Sequence, residues 1–175
     1  MIIIAEGIDR VGKTTLCNKL STELNIPIFK KDRTDCKIST CQRDDILVNF
    51  GNAHGLIDAW SMLPSSEDLI IDRFYWTEYV YTKVQRDPSM SIELLKSVED
   101  HMLMHNDKFI TIYVRPTDIK WSSSMHGSDL SAHLFLFDKI FEQSKLHKLC
   151  TNYYELDTIF DIIKRRNYAW LDKRN

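Results

Sequence analysis

Continuous apolar runs mark the buried strands of this chain of 175 residues. Such runs, when they do not alternate with polar residues, are typical of strands that are covered on both faces, as in parallel sheets. The clearest are III in the first strand, LII in the third and FITIYV in the fourth. The predicted strands are residues 1–6, 26–30, 68–73, 108–114 and 152–156. The second contains Pro27, which predicts a short strand or an edge position.

Between the strands, apolar residues recur at intervals of three and four, the spacing that places them on one face of a helix. The predicted helices are residues 14–25, 44–63, 76–86, 91–106, 131–149 and 159–171. Strands that alternate with helices predict an α/β fold, with a parallel sheet of about five strands and helices on both faces. Residues 1–175 are predicted to form one domain. The right-handed crossover rule brings the carboxyl end of every strand to one edge of the sheet.

The loop after the first strand reads GIDRVGKT at residues 7–14, a complete G-x-x-x-x-G-K-[ST] phosphate-loop motif. Gly7 and Gly12 let backbone N–H groups turn toward phosphate oxygens. Lys13 supplies a positive charge at the β- and γ-phosphates, and Thr14 offers a hydroxyl to Mg²⁺. The helix that follows points its positive end at the same phosphates. The sequence therefore predicts a site for a nucleoside triphosphate and Mg²⁺.

Asp72 and Arg73 close the third predicted strand, at the edge that also holds the phosphate loop. A carboxylate at this position can hold Mg²⁺ directly or through water, and the arginine beside it can grip a second phosphate. A structural salt bridge at a strand end is the alternative. Arg10 in the loop and Arg33 after the second strand add cations at the same edge, which favours the functional interpretation.

Composition narrows the class of partner. A formal net charge of −2 argues against nucleic acid, although a local basic cleft stays open. The four cysteines show no paired spacing, and the first residues enter a strand without a charged leader, which predicts a reduced, cytoplasmic protein. No apolar run approaches the ~20 residues of a membrane helix. The sequence leaves a homodimer open.

Two segments carry a resemblance to a known family. EGIDRVGKTT at residues 6–15 resembles the E-G-x-D-x-x-G-K-[ST]-T phosphate loop of thymidylate kinases. DRFYWTEYVY at residues 72–81 is similar to that family's D-R-[YF]-x-x-S-x-x-A-[YF] segment. Two weaker likenesses are DRT at residues 32–34, with the acceptor-phosphate loop, and FGNAH at residues 50–54, with the segment that stacks an aromatic ring on thymine. The resemblance implies the P-loop kinase fold, with residues 117–130 as a short lid.

On the donor side, the resemblance implies that ATP and Mg²⁺ are the cofactors. The residues that would bind ATP are Gly7, Gly12, Lys13, Thr14 and Thr15. Those that would hold Mg²⁺ are Thr14 and Asp72. Catalysis would depend on Asp9, Arg10, Lys13 and Arg73.

On the acceptor side, the resemblance implies a small nucleotide, with dTMP as the leading candidate. Arg33 and Arg73 would grip its phosphate, and Asp9 would face the sugar 3′-hydroxyl or the phosphate. Phe50 would stack on the base, and Tyr81 would lie under the sugar and disfavour a 2′-hydroxyl.

The sequence departs from the family in ways that bear on these roles. His54 stands where the family has an arginine at the edge of the base, which leaves the identity of the base open. The chain is also shorter than is usual for the family. Lys120 is the only lysine or arginine between residues 117 and 135, so the resemblance assigns the catalytic charge to Arg10 rather than to the lid.

Two alternatives stay open beside the nucleotide kinase. One is a related phosphate-loop kinase whose acceptor is a nucleoside hydroxyl, a modified pyrimidine or a nucleic-acid end. The other is a nucleotide-binding switch without a small acceptor, although the sequence lacks the N-K-x-D element of GTPase-type base recognition. Acceptor-dependent turnover of ATP distinguishes a kinase from a switch.

His101 and His105 stand four residues apart on a predicted helix. Met102-Leu103-Met104 between them lacks the glutamate of the metalloprotease motif. The spacing by itself therefore does not predict a metal site.

Overall fold

Five parallel strands form one sheet in the computed structural model, which describes residues 1–30, 43–64, 67–105, 107–117 and 130–172. Their order across the sheet is β2-β3-β1-β4-β5, and each pairing is parallel. The strands are β1 (Ile2–Glu6), β2 (Ile28–Lys30), β3 (Leu69–Asp72), β4 (Phe109–Val114) and β5 (Lys148–Thr151). The predicted α/β fold with about five parallel strands is confirmed.

Helices connect the strands and cover the sheet. They are α1 (Lys13–Leu24), α2 (Arg43–Ser61), α3 (Tyr75–Tyr81), α4 (Ile92–Leu103), α5 (Leu130–Gln143) and α6 (Leu156–Asp172). α1 packs against α6. In a second group, α4 packs against α2 and α3, and α3 also packs against α5. Right-handed crossovers around this strand order place the two groups on opposite faces. None of the helices in the described ranges is long and apolar enough to cross a membrane.

The two central strands hold the middle of the core. Every residue of β1 and β4 is buried, because helices cover both of their faces. In the register of the sheet, Ala5 of β1 lies beside Asp72 of β3 and Ile112 of β4. The loop that follows β1 therefore begins next to Arg73, and the carboxyl edge of the sheet brings the two predicted motifs together.

The short second strand behaves as its proline predicts. β2 has three residues and pairs with β3 at the end of the strand order. Pro27 directly precedes β2, so its missing N–H removes no hydrogen bond from the strand pairing. The Pro27 carbonyl still accepts a hydrogen bond from the Ile70 N–H at 3.0 Å.

The predicted helix at residues 76–86 has two parts. α3 ends at Tyr81, and Thr82–Arg86 continue as a π-helix. The Asp87 N–H donates to the Thr82 carbonyl at 2.8 Å, which is the five-residue step of a π turn. π segments insert an extra residue and occur frequently at functional sites.

The prediction of a strand at residues 152–156 was wrong. β5 is Lys148–Thr151, of which the predicted helix at residues 131–149 includes the first two residues, and Tyr153–Glu155 form a 3₁₀ turn. Two side chains explain the shift. The Lys148 ammonium bonds the carbonyls of Phe141 and Ser144, and thereby caps the end of α5. The Asn152 Oδ1 accepts from the Tyr154 N–H at 2.9 Å and begins the next helical segment.

Candidate active site

Both motif glycines have backbone conformations that suit glycine. Gly7 has φ 139°, and a Cβ there would stand 2.4 Å from the carbonyl oxygen of Val114. Gly12 has φ 97° and precedes the first turn of α1. A side chain at Gly7 would push the loop away from β4, and both φ values lie in the region that other residues rarely adopt. The glycines thus fix the loop around the N-terminus of α1, where backbone N–H groups can meet an anion.

Lys13 lies inside the loop. Its side chain is 3% exposed, and its ammonium donates to the Ile8 carbonyl. Burial and, to a smaller extent, the positive charge of Arg73 together lower the pKa of Lys13 to about 7, against the opposing effect of Asp9 and Asp72. The loop therefore encloses the side chain and does not present it to solvent.

Thr14 and Asp72 form the arrangement expected of a Mg²⁺ site. The Thr14 hydroxyl donates to the Asp72 Oδ2 at 2.8 Å. The second carboxylate oxygen, Oδ1, is buried and has no hydrogen-bond partner among the described residues. A buried carboxylate oxygen without a donor is destabilised, and a hard cation with oxygen ligands would satisfy it. These residues therefore fit the metal that the motif predicts, and Thr15, also on α1, is exposed beside them.

Asp9 of the phosphate loop forms an ion pair with Arg73, which follows β3. The Arg73 guanidinium lies 2.6 Å from the Asp9 carboxylate. Arg73 has φ 76°, a left-handed conformation, and its N–H donates to the Ala5 carbonyl at 3.0 Å. Non-glycine residues held in this region are strained and cluster at functional sites. The structure thus brings together two of the predicted acceptor-side residues.

Tyr81 reaches the same loop from the end of α3. Its hydroxyl accepts a hydrogen bond from the Asp9 N–H at 3.0 Å. Burial and, to a smaller extent, the charge of the Asp9 carboxylate together raise the pKa of Tyr81 to about 12, so the phenol is neutral. Its ring lies 4.8 Å from that of His133 on α5. Tyr81 therefore joins the phosphate loop to the helix that follows the predicted lid.

Arg10 is exposed and adopts φ 64°. A left-handed arginine at the tip of the loop is uncommon and strained by about 1 kcal/mol relative to the right-handed form. The exposed side chain leaves its role in catalysis as a prediction.

The remaining predicted residues have different surroundings. His54 lies on α2 but contacts α4, where its Nδ1 is 2.8 Å from the Nδ1 of His101. The contacts described for His54 are with α4 and do not include Asp9 or Tyr81. Its role at the edge of the base therefore stays a prediction. Phe50 is also on α2, but its side chain is outside the described set. Arg33 and most of the predicted lid, including Lys120, lie outside the described residues as well.

Glu6 is a site residue that the sequence reasoning did not assign. Its carboxylate is buried and accepts hydrogen bonds from the N–H groups of Phe74, Trp76 and Thr77 at 3.2, 3.0 and 3.1 Å. The Thr77 hydroxyl adds a fourth at 2.5 Å. Burial raises the pKa of Glu6 to about 7 despite these bonds, which lower it. A glutamate that ends an otherwise apolar buried strand was the available signal.

Glu6 caps α3 from the neighbouring strand. The first N–H groups of a helix have no partner within the helix, and Phe74 at the N-cap supplies none through its side chain. The carboxylate also meets the positive end of the helix. These bonds fix the backbone from Phe74 to Thr77, directly after Arg73, which gives Glu6 a structural link to the arginine of the ion pair.

We expect Glu6→Gln to lower the free energy of unfolding by about 2–3 kcal/mol, because the glutamine amide would face the Thr77 N–H and leave buried donors without an acceptor. Denaturant unfolding measures this change. Glu99→Gln is the matched control, because the Tyr75 hydroxyl and the Trp76 indole both donate to one Glu99 oxygen, which glutamine retains. Equal stability of the two variants would contradict the capping role of Glu6.

A glycine loop between a buried strand and a helix, with its lysine and threonine facing a carboxylate on the next strand, is the arrangement of P-loop kinases, and the chain has their fold. No family model matches the sequence. The chain is 29% identical over 153 residues to the SPbeta prophage-derived uncharacterized protein YorR of Bacillus subtilis, across 83% of this chain and 85% of that protein.

Solved structures show the same P-loop kinase fold. The crystal structure of B. subtilis YorR in complex with phosphorylated GDP has a TM-score of 0.68 and 26% identity, over 100% of this chain and 99% of that one. Deoxyadenosine kinase from M. mycoides with bound dATP has a TM-score of 0.63 and 15% identity, over 96% and 100% of the two chains. Thymidylate kinase from Candida albicans has a TM-score of 0.60 and 17% identity, over 96% and 91%. The two kinases establish the shared fold, and the resemblance to thymidylate kinases is confirmed at that level.

Proposed function

We propose that the protein transfers the γ-phosphoryl group of ATP to a pyrimidine deoxynucleoside monophosphate, with dTMP as the leading acceptor. The observation that carries the proposal is the Asp9–Arg73 ion pair at 2.6 Å, directly beside the phosphate loop. A donor site alone would serve any nucleotide-binding protein. A second charged and hydrogen-bonding constellation within reach of the transferring phosphate is what a kinase needs for its acceptor.

On the donor side, Lys13 would leave the Ile8 carbonyl and meet the β- and γ-phosphates of ATP. Thr14 and Asp72 would hold Mg²⁺, which neutralises phosphate charge when bound. Phosphoryl transfer needs no covalent intermediate with the protein. The loop residues contribute by holding donor and acceptor in line and by stabilising charge on the transferring group.

On the acceptor side, Arg73 and Arg33 would grip the acceptor phosphate. The ion pair with Asp9 holds the Arg73 guanidinium beside the loop before any ligand binds. Tyr81 would lie under the sugar, since its hydroxyl is already fixed on the Asp9 N–H. Phe50 as the stacking residue and His54 at the base edge stay predictions from the resemblance.

The second candidate is a kinase whose acceptor is a deoxynucleoside without a phosphate. The same ion pair favours it, because Asp9 neutralises Arg73 and leaves a carboxylate near the position of an attacking hydroxyl. Arg33 separates the two candidates. A monophosphate needs a second cation at its phosphate, whereas a nucleoside has no use for one.

The test is a panel of acceptors offered with ATP and Mg²⁺ and scored by phosphorylated product. It contains nucleosides, pyrimidine and guanine monophosphates, and 5′-hydroxyl oligonucleotides, the guanine members being included because YorR was solved with phosphorylated GDP. The proposal requires that dTMP be the best acceptor and that Arg33→Ala raise its KM at least about tenfold. Preference for a nucleoside, with Arg33→Ala neutral, would select the second candidate. Turnover of ATP that ignores all acceptors would exclude both.

The pKa of Lys13 predicts a pH dependence for ATP binding. Burial lowers this pKa to about 7 in the free protein, whereas bound phosphates favour the charged ammonium. Above pH 7 the free protein loses the proton that the complex retains, so binding takes up a proton and the affinity falls as pH rises. We expect a loss of up to about tenfold per pH unit between pH 7.5 and 9. Calorimetry in buffers of different ionisation enthalpy measures the proton uptake. A flat profile, equal to that of Lys13→Met, would contradict the prediction.

A further inference from the structure

A cluster of imidazole and carboxylate side chains, separate from the residues of the phosphate loop, lies between α2 and the end of α4. His54 and Asp58 stand four positions apart on α2, a spacing that shares one face of a helix. His101 lies in the last turn of α4, and His105 lies in the turn directly after it, where its N–H donates to the Met102 carbonyl. Because α2 packs against α4, the two pairs meet between them. The sequence placed His101 and His105 together but could not reveal the pair from α2.

The distances make this cluster a set of convergent ligand atoms. The His101 Nε2 is 2.7 Å from the Asp58 Oδ1. One ligand atom each from Asp58, His101 and His105 lie within 4.8 Å of one another. The Asp58 side chain is 60% exposed, which gives an ion a path from solvent. Three donors in this range can close on one small cation, and Asp58 is free enough to adjust.

His54 completes the arrangement through the other ring nitrogen of His101. Their Nδ1 atoms are 2.8 Å apart, and the rings stack with centroids 5.0 Å apart. The His54 Nε2 lies 3.3 Å from the Ser97 hydroxyl, which in turn donates to the Leu94 carbonyl. In one proton arrangement His101 donates from Nδ1 to His54, and the Nε2 lone pair then faces the Asp58 carboxylate. Two acceptors this close need a proton or a metal cation between them, and the exposed Asp58 leaves room for the metal.

We propose that Asp58, His101 and His105 bind a divalent cation of the zinc class, with His54 as the outer partner that orients His101. Imidazole nitrogen with one carboxylate oxygen is a donor set for zinc-class ions, whereas Mg²⁺ requires octahedral oxygen ligands. Ligand atoms on a tetrahedral zinc lie about 3.3 Å apart, so Asp58 has to move outward by roughly 0.6 Å from its hydrogen bond. Water would occupy the fourth position.

A cation here would tie α2 to α4. α2 is the helix that carries Phe50 and His54, so the site would restrain the acceptor side of the molecule from outside the catalytic centre. The alternative without a metal is a hydrogen-bonded chain of Asp58, His101 and His54, in which His101 donates from Nε2 to Asp58. The two forms differ in whether added metal binds, and the experiment separates them.

The test is titration of the metal-free full chain with Zn²⁺ alone, followed by calorimetry and thermal unfolding. We expect one Zn²⁺ per chain and a rise in Tm of about 5–10 °C at a free concentration of about 100 times Kd. His105→Asn is the decisive ligand variant. The contact that the structure describes for the His105 side chain is a tilted ring contact with His101, so we expect the variant to fold normally. It should abolish the site. His54→Asn should weaken binding by about 10–100-fold, as expected for an outer partner.

Two controls address other binding sites. His147→Asn changes an exposed histidine on the far part of the chain and should leave the affinity unchanged. Replacement of Cys36, Cys41 and Cys150 by serine removes thiols that bind zinc and should also change nothing. The proposal is overturned if the wild-type chain binds no Zn²⁺, if binding survives His105→Asn, or if it disappears with the cysteines.

Discussion

Replacement of Lys13 by alanine is expected to lower kcat by about 10²–10³ while leaving a folded protein. The ammonium is the positive charge inside the phosphate loop, and its loss removes a preorganised partner of the β- and γ-phosphates. Folding should survive because Lys13 is a buried cation whose burial lowers its pKa to about 7, so the fold gains little from the charge. Steady-state kinetics with saturating acceptor measure the effect.

Two further variants make the Lys13 result specific. Lys13→Met fills the same volume without a charge and should lose as much activity as alanine, which excludes a cavity as the cause. Lys19→Ala removes an exposed lysine on the same helix, where it pairs with the exposed Asp157, and should leave activity near normal. Near-normal turnover in a folded Lys13→Met protein would remove the phosphate loop from the proposed function.

The central fold was predictable because its signals are local. β1, β3 and β4 are continuous apolar runs, and a strand buried on both faces needs no information from distant residues to be recognised. The phosphate loop was predictable for a similar reason, because Gly7 and Gly12 are required by the backbone itself. Parallel strands then bring the carboxyl end of β3 to the edge that holds the loop, and the observed register places Asp72 beside Ala5.

The parts that the sequence did not reveal depend on contacts between distant residues. The end of α5 is set by the Lys148 ammonium, which bonds helix carbonyls from outside the helix, so apolar periodicity alone overran it. Glu6 belongs to a strand by position but caps a helix nearly 70 residues later. The burial of Lys13 and the meeting of Asp58 with His101 likewise need the packed fold.

The catalytic charge is the last assignment to be tested. The resemblance is to those thymidylate kinases that have an arginine in the phosphate loop and a lid poor in arginine. This chain has Arg10 in the loop. The exposed, left-handed Arg10 is strained at the tip of the loop, and strain of this kind at a functional position is maintained when the side chain has a task. Arg115, directly after β4, is a described alternative at the carboxyl edge, but it bonds the Asp138 carboxylate through two nitrogens, at 2.9 and 3.0 Å.

Arg10→Gly is therefore expected to lower kcat by about 10³–10⁵, the range of arginines that stabilise the transition state of phosphoryl transfer, with much smaller changes in KM. The variant should be at least as stable as the wild-type chain, because glycine adopts a φ of 64° without strain. Arg10→Asn is the matched control for backbone flexibility, since asparagine tolerates the same conformation, lacks the charge and should lose comparable activity. Single-turnover kinetics isolate the chemical step. If both variants stay within a few-fold of normal in that step, the catalytic charge lies elsewhere, and Arg115→Ala and Lys120→Ala identify its source.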